Sequence, residues 1–111
     1  MILFKKEFVP LILAGRKTQT RRLWPHGCRA KVGAVHYAKT SYAPDSTFAK
    51  IRIKRVWREE KGALWISRDD AFAEGFSGTY PALQFTLAFE RINGKGALLT
   101  PLWAVEFELV K

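Results

Sequence analysis

Eight consecutive residues, Gly15-Arg16-Lys17-Thr18-Gln19-Thr20-Arg21-Arg22, gather four cations and two hydroxyls directly after an apolar run. Ammonium and guanidinium groups make charge-assisted hydrogen bonds to anionic or strongly polar ligands. A hydroxyl can do more, because it attacks a carbonyl once a neighbour takes its proton. The same residues would also suit a solvated helix C-terminus, where the macrodipole favours Lys and Arg. Local chemistry leaves both readings open.

A second constellation is the alternation of Lys50, Arg52 and Lys54 with Ala49, Ile51 and Ile53. Cations two residues apart on a strand lie about 7 Å from each other on one face. That is close to the spacing of phosphates along a single strand, so the stripe could track a nucleic-acid backbone; it would equally serve as the solvated face of a half-buried strand. Tyr37, Tyr42 and Phe76 stand beside predicted loops and are the candidates to stack on a base. His26, Cys28 and His36 are the only soft metal ligands and are too few and too compactly spaced for a structural zinc site. With no phosphate-binding glycine loop and no helical histidine pair, no metal and no cofactor are expected.

These groups need elements to hold them. Met1 to Phe4 reads as a short buried strand, and Phe8, Leu11 and Ile12 recur at helical spacing, which predicts a helix from about Glu7 to Ala14 with Pro10 in its first turn. Gly15 is the residue to end it. Gln19 to Trp24 then suits a strand stopped by Pro25-His26-Gly27, and a second strand is predicted over Ala34 to Lys39, after the Val32-Gly33 turn. A loop over Ser41 to Ser46 leads into the strand Phe48 to Trp57. Glu59 to Gly62 predicts a hairpin turn into a short strand at Ala63 to Ile66. Ser67 three residues before Asp70 is a capping pattern for a helix over Arg68 to Glu74. Pro81 opens a longer helix carrying Leu83, Phe85, Leu87, Phe89 and Ile92 and closed by Asn93-Gly94. The alternation in Leu102 to Val110 predicts a last strand with one buried face.

The sum is one domain, residues 1–111, of α+β class: a small curled sheet or barrel of five to six strands with two or three short helices. Nineteen Lys and Arg against ten Asp and Glu give a formal charge of +9, which points to a polyanionic partner, nucleic acid first. No long apolar run or signal-like segment suggests a membrane. A single Cys28 agrees with a reducing compartment, and a cytoplasmic protein is expected.

Gly15-x-Lys17-x-x-Thr20-x-Arg22, preceded by an apolar helix, resembles the signature of the ASCH domain, a PUA-like β-barrel family associated with RNA. Many members carry Glu where this chain carries Thr20. In that respect, and in the run Leu13-Ala14-Gly15-Arg16-Lys17-Thr18-x-Thr20-x-Arg22, it resembles the small bacterial branch acting as N(4)-acetylcytidine amidohydrolases. The Lys31-Val32-Gly33 turn and the Ala104-Val105-Glu106-Phe107 strand fit the same family.

The resemblance implies RNA or a modified pyrimidine nucleoside as partner and hydrolysis of an N(4)-acylated cytidine as activity. Its catalytic set falls on Lys17, Thr20 and, in Ala71-x-x-Glu74, on Glu74. Thr20 would be the nucleophile and Lys17 its base, provided its pKa falls from about 10.4 toward neutrality. Glu74 would be the general acid or base. Arg16, Arg21 and Arg22 would position substrate, joined by Lys50, Arg52, Lys54 and Tyr37. Because residues three apart on a regular strand point to opposite faces, Lys17 must lie in the turn after Gly15 if it is to reach Thr20. A non-catalytic RNA-binding module and a metal-independent ribonuclease are the alternatives.

Overall fold

The computed structural model describes all 111 residues. The strands are β1 (Ile2–Leu3), β2 (Gln19–Arg22), β3 (Val35–Lys39), β4 (Thr47–Glu59) and β5 (Leu102–Leu109), and the α-helices are α1 (Val9–Leu13), α2 (Arg68–Ala73) and α3 (Pro81–Asn93). All five strands form one curled sheet in the order β1-β3-β4-β5-β2. Only the β1–β3 pair is parallel. This is the small curled α+β sheet that the hydrophobic pattern predicts.

The alternating sequence of β4 makes it the spine, paired on one side with β3 and on the other with β5. Ile51 and Ile53 are fully buried, while Lys50, Arg52 and Lys54 face outward. A bulge follows, since Ile53 pairs with Phe107 but Arg55 with Glu106. The extra residue shifts the parity, so that Val56 joins Ile51 and Ile53 on the same core. Beyond it, Trp57 and Glu59 sit opposite Ala104 and Leu102, on the other side of the sheet.

Two cores result. Ile2, Phe4, Ile12, Ile51, Ile53, Val105 and Phe107 fill the concave side, and Ala63, Ala71, Phe85, Phe89, Leu102 and Ala104 pack the helices onto the other. The last strand therefore buries both faces where one is predicted, because α2 and α3 cover the side that alternation alone would leave wet. Burial of α3 is narrower than its sequence suggests: Phe85 and Phe89 go in, whereas Leu83 and Leu87 stay exposed.

The short strand predicted at Ala63 to Ile66 is a 3-10 turn, Ala63–Trp65. β5 pairs with Arg55–Glu59 along one edge and β3 reaches only Arg52 on the other, and after the hairpin turn the chain leaves the sheet without pairing along the remaining edge. It packs against the turn Ala97–Leu99, where a side chain at Gly62 would collide with the Leu98 carbonyl oxygen. The first helix is also shorter than predicted, one 3-10 turn (Lys6–Phe8) followed by α1, with Pro10 in its first turn. No helix is long and apolar enough to cross a membrane.

Candidate active site

Gly15, at φ +75°, turns the chain out of α1, with Arg16 and Lys17 both donating their backbone N–H to Leu11. Lys17 and Thr18 thus precede β2. Thr18 is stitched on both sides, its N–H to the Ala73 carbonyl at 2.7 Å and its own carbonyl to the N–H of Phe107 at 2.9 Å. The segment that follows the glycine turn is thereby tied to the C-terminal end of α2, where Glu74 is the capping residue. Gly75 makes that approach possible. At φ +106°, a Cβ there would lie 3.3 Å from Lys17 Cβ and 3.1 Å from Leu11 Cδ1.

The Lys17 ammonium is 3% exposed and uses all three of its protons, donating to the Gln19 carbonyl, the Glu74 carbonyl and Glu74 Oε1, each at 2.9 Å. It also lies 4.7 Å from the centre of the Phe8 ring. Burial pulls its pKa below the usual lysine value; the Glu74 carboxylate opposes that, and the Arg22 and Arg21 charges reinforce it.

The strand that follows is polar on both faces, and each face has its own set of partners. Gln19 and Arg21 share the helical side. Arg21 donates to Glu59 through Nε (2.9 Å) and Nη2 (3.0 Å), and to Gln19 Oε1 and Glu74 Oε2 through Nη1 (2.9 Å each), with Asp70 3.2 Å from Nη2. Burial alone would lower the Arg21 pKa, but the hydrogen bonds and charges of Glu59 and Glu74 outweigh it and raise it. Gln19 closes the network by donating to Asp70 at 3.1 Å.

Thr20 and Arg22 take the concave side, opposite Val105 and Trp103. The Thr20 hydroxyl is 4% exposed and accepts from Arg22 Nε at 2.9 Å, leaving its own proton free to be taken. Arg22 lies over the Phe4 ring at 4.9 Å and has no acid partner; burial pulls its pKa down to about 10, against the opposing charge of Glu74.

Lys17, Thr20, Arg21, Arg22 and Glu74 all border one cavity of about 270 Å³, whose apolar walls are Phe4, Phe8, Phe76, Phe85 and Phe89. A polar wall facing aromatic walls in a volume near that of small-ligand pockets, roughly 300 Å³ and up, suits a flat heterocycle with polar edges. No three His, Cys, Asp or Glu side chains converge to hold a metal ion; Glu59, Asp70 and Glu74 surround Arg21 instead.

Among solved structures, an ASCH domain from Lactobacillus crispatus JV V101 superposes on 91% of this chain and 69% of its own, with a TM-score of 0.59 at 18% identity. Protein EF3133 from Enterococcus faecalis V583, of family DUF984, covers 94% of this chain and 67% of its own at a TM-score of 0.64 and 22% identity. Hypothetical protein PH0355 matches 96% of this chain and 94% of its own at 0.69 and 14%. The chain has an ASCH-domain fold. No family model and no curated protein sequence matches it.

Within this ASCH fold the candidate residues divide. Lys17, Thr20 and Glu74 come together at the cavity with Arg22. Arg21 borders it too, but its guanidinium is committed to protein acceptors and is not free to hold substrate. Arg16 is exposed and outside the cavity. Lys50, Arg52 and Lys54 lie on the outward face of β4, with Arg52 3.8 Å from Glu108. Tyr37 is exposed beneath Lys50, 5.6 Å from its ammonium; neither it nor the three cations reaches the cavity. Of the aromatic residues singled out for stacking, Phe76 does line it.

Sequence reasoning passed over Gln19, Glu59 and Asp70, the acceptors that hold Arg21. One signal was available: Gln19-Thr20-Arg21-Arg22 has no apolar face. A strand with two polar faces inside a sheet needs partners on both.

Proposed function

We propose that the protein hydrolyses the exocyclic amide of an N(4)-acylated cytidine, with Thr20 as nucleophile, Lys17 as its base and Glu74 as the acid–base group for water. The observation that carries this reading is the convergence of a buried lysine of depressed pKa, a threonine with a free hydroxyl proton and a buried carboxylate on one wall of an aromatic-lined cavity. Family resemblance through the Gly15 to Arg22 motif supports the same chemistry.

Neutral Lys17 takes the Thr20 proton as Oγ1 bonds to the acyl carbon. The tetrahedral adduct then collapses, the C–N bond breaks, and the lysine proton goes to the departing nitrogen, releasing cytidine and leaving an acyl-threonine. Water adds to that ester as Glu74 takes one of its protons. The Thr20–acyl bond breaks, the proton returns from Glu74 to Thr20, and the carboxylic acid leaves. Arg21 is a positioning residue here: its bond to Glu74 Oε2 holds the carboxylate while Oε1 faces Lys17. Arg22 holds the Thr20 oxygen through Nε.

Incubating the purified protein with N(4)-acetylcytidine and assaying acetate tests the reading directly; no acetate at any protein concentration removes it. The +9 charge supports a second reading, a module that grips an RNA strand without chemistry. Binding of that kind weakens steeply as salt rises, whereas nucleoside turnover responds little. Pairing of Arg52 with Glu108 and of Arg55 with Glu106 leaves the outer face of β4 less cationic than its sequence suggests, which favours the cavity. A ribonuclease reading is tested by single-stranded RNA, which that reading requires to be cut without metal.

A further inference from the structure

Five of the nine arginines have acid partners: Arg21, Arg52, Arg55, Arg58 and Arg91. Of the other four, Arg16, Arg22, Arg29 and Arg68, two meet at one place. A hollow of about 90 Å³ adjoins the main cavity, with Leu3 and Arg22 in the walls of both. Its remaining wall includes Arg29, Trp24 and Tyr42, and no carboxylate lines it.

The hollow occupies the seam that the curled sheet leaves open. β1 and β2 are its two edge strands, and the hollow lies between Ile2 and Leu3 on one and Arg22 on the other. Arg22 Nε is used on Thr20, but neither Nη group has a protein acceptor. An anion entering the hollow would meet two guanidiniums and no competing carboxylate. The backbone of Trp24 adds a second sign. It is the only non-glycine residue at positive φ, +24°, and such strain is held at about 1–3 kcal/mol where the surroundings have a use for it.

We infer that this hollow is a phosphate subsite: Arg22 and Arg29 bind a phosphate group attached to the substrate nucleoside, with Tyr42 open at the rim for the sugar or a flanking base. The hollow, at about 90 Å³, is much smaller than the main cavity of about 270 Å³, and two guanidiniums with no carboxylate beside them suit a small anionic group such as a phosphate. The inference rests on the reading that the main cavity takes a cytidine, and it gives the unpaired cations a role that a neutral nucleoside would not.

Calorimetric titration of the full chain with cytidine and with cytidine 5′-monophosphate tests it. The monophosphate is expected to bind at least about tenfold more tightly, the size of one charge-assisted hydrogen bond. In Arg29→Ala that advantage falls to a few-fold, and Arg29→Lys restores much of it; Arg29 is exposed, so both variants are expected to fold. A cytidine trinucleotide separates the sources: tighter binding than the monophosphate assigns the phosphate to a strand, weaker binding to a free nucleotide, and either supports the subsite. Equal affinity for cytidine and its monophosphate overturns it, as does an advantage undiminished in Arg29→Ala, or no binding of either ligand. Phosphate-dependent binding without acetate release from N(4)-acetylcytidine would sink the hydrolase reading and leave the subsite standing.

Discussion

Arg21 and Arg22 are neighbours in sequence with the same side chain, and the fold gives them opposite circumstances. Arg21 lies among Glu59, Asp70 and Glu74, and its pKa is raised. Arg22 has one hydroxyl and one aromatic ring for company, and its pKa is pulled down to about 10. The difference is strand parity: Arg21 faces the helices and Arg22 the concave side. Arg21 holds three acids together, and Arg22 keeps both Nη groups without a protein acceptor.

The sharpest way to break that contrast is Arg21→Met. Removing one partner of a buried ionic network strands the others, so about 3–5 kcal/mol of stability should be lost in chemical denaturation, with activity falling alongside. A loss below about 1 kcal/mol would mean that the acids around it are not dependent on the guanidinium.

Glu74→Gln comes next and reads chemistry. Loss of a general acid–base group lowers kcat by about 10²–10⁴-fold. The pH profile carries an independent signature. Lys17 must be neutral to accept the Thr20 proton, so kcat/KM rises with pH through the lysine's lowered pKa. The Glu74 carboxylate raises that pKa, so the neutral glutamine should move the rising limb to lower pH. A limb that stays in place argues against Lys17 as the base.

Gly75→Ala touches only the Arg21 side of the contrast. The alanine must adopt φ +106° while its Cβ presses on Lys17 and Leu11, costing about 1–3 kcal/mol, visible as a lowered Tm. A Tm unchanged or raised would show that the turn tolerates a side chain and that the approach of Glu74 to Lys17 does not depend on glycine.

Arg22→Met should have the smallest effect on stability, within about 1 kcal/mol of zero or stabilising, because it removes a half-buried cation that has no ion-pair partner. Its effect on the pH profile is opposite in sign to that of Glu74→Gln. The Arg22 charge lowers the Lys17 pKa, so its loss should move the rising limb of kcat/KM to higher pH. Destabilisation comparable to that of Arg21→Met would erase the distinction between the two arginines.

Much of this protein was legible in its sequence, for identifiable reasons. Alternation along β4 and β5 specified strands because a half-buried sheet imposes a period of two, and Gly15 marked the end of α1 because it can take φ +75° without a Cβ clash. Ser67 accepting from the Asp70 N–H at 3.0 Å is the cap that its spacing predicts. The small curled α+β sheet followed from such local rules, and the resemblance to the ASCH domain from the motif.

Long-range pairing was not legible. That Ala63 to Ile66 would form a turn packed on Ala97–Leu99 and not a strand depended on a contact with a distant part of the chain, which local alternation does not encode. That Glu74 meets Lys17 across 57 residues depends on the close approach allowed by Gly75 and on the Thr18–Ala73 bond. The sequence by itself determined the strands, the turn after α1 and the presence of a polar strand rich in cations. Only the tertiary structure decided which of those cations are neutralised, because that depends on acids brought from α2 and the end of β4 to one face of β2 and not to the other.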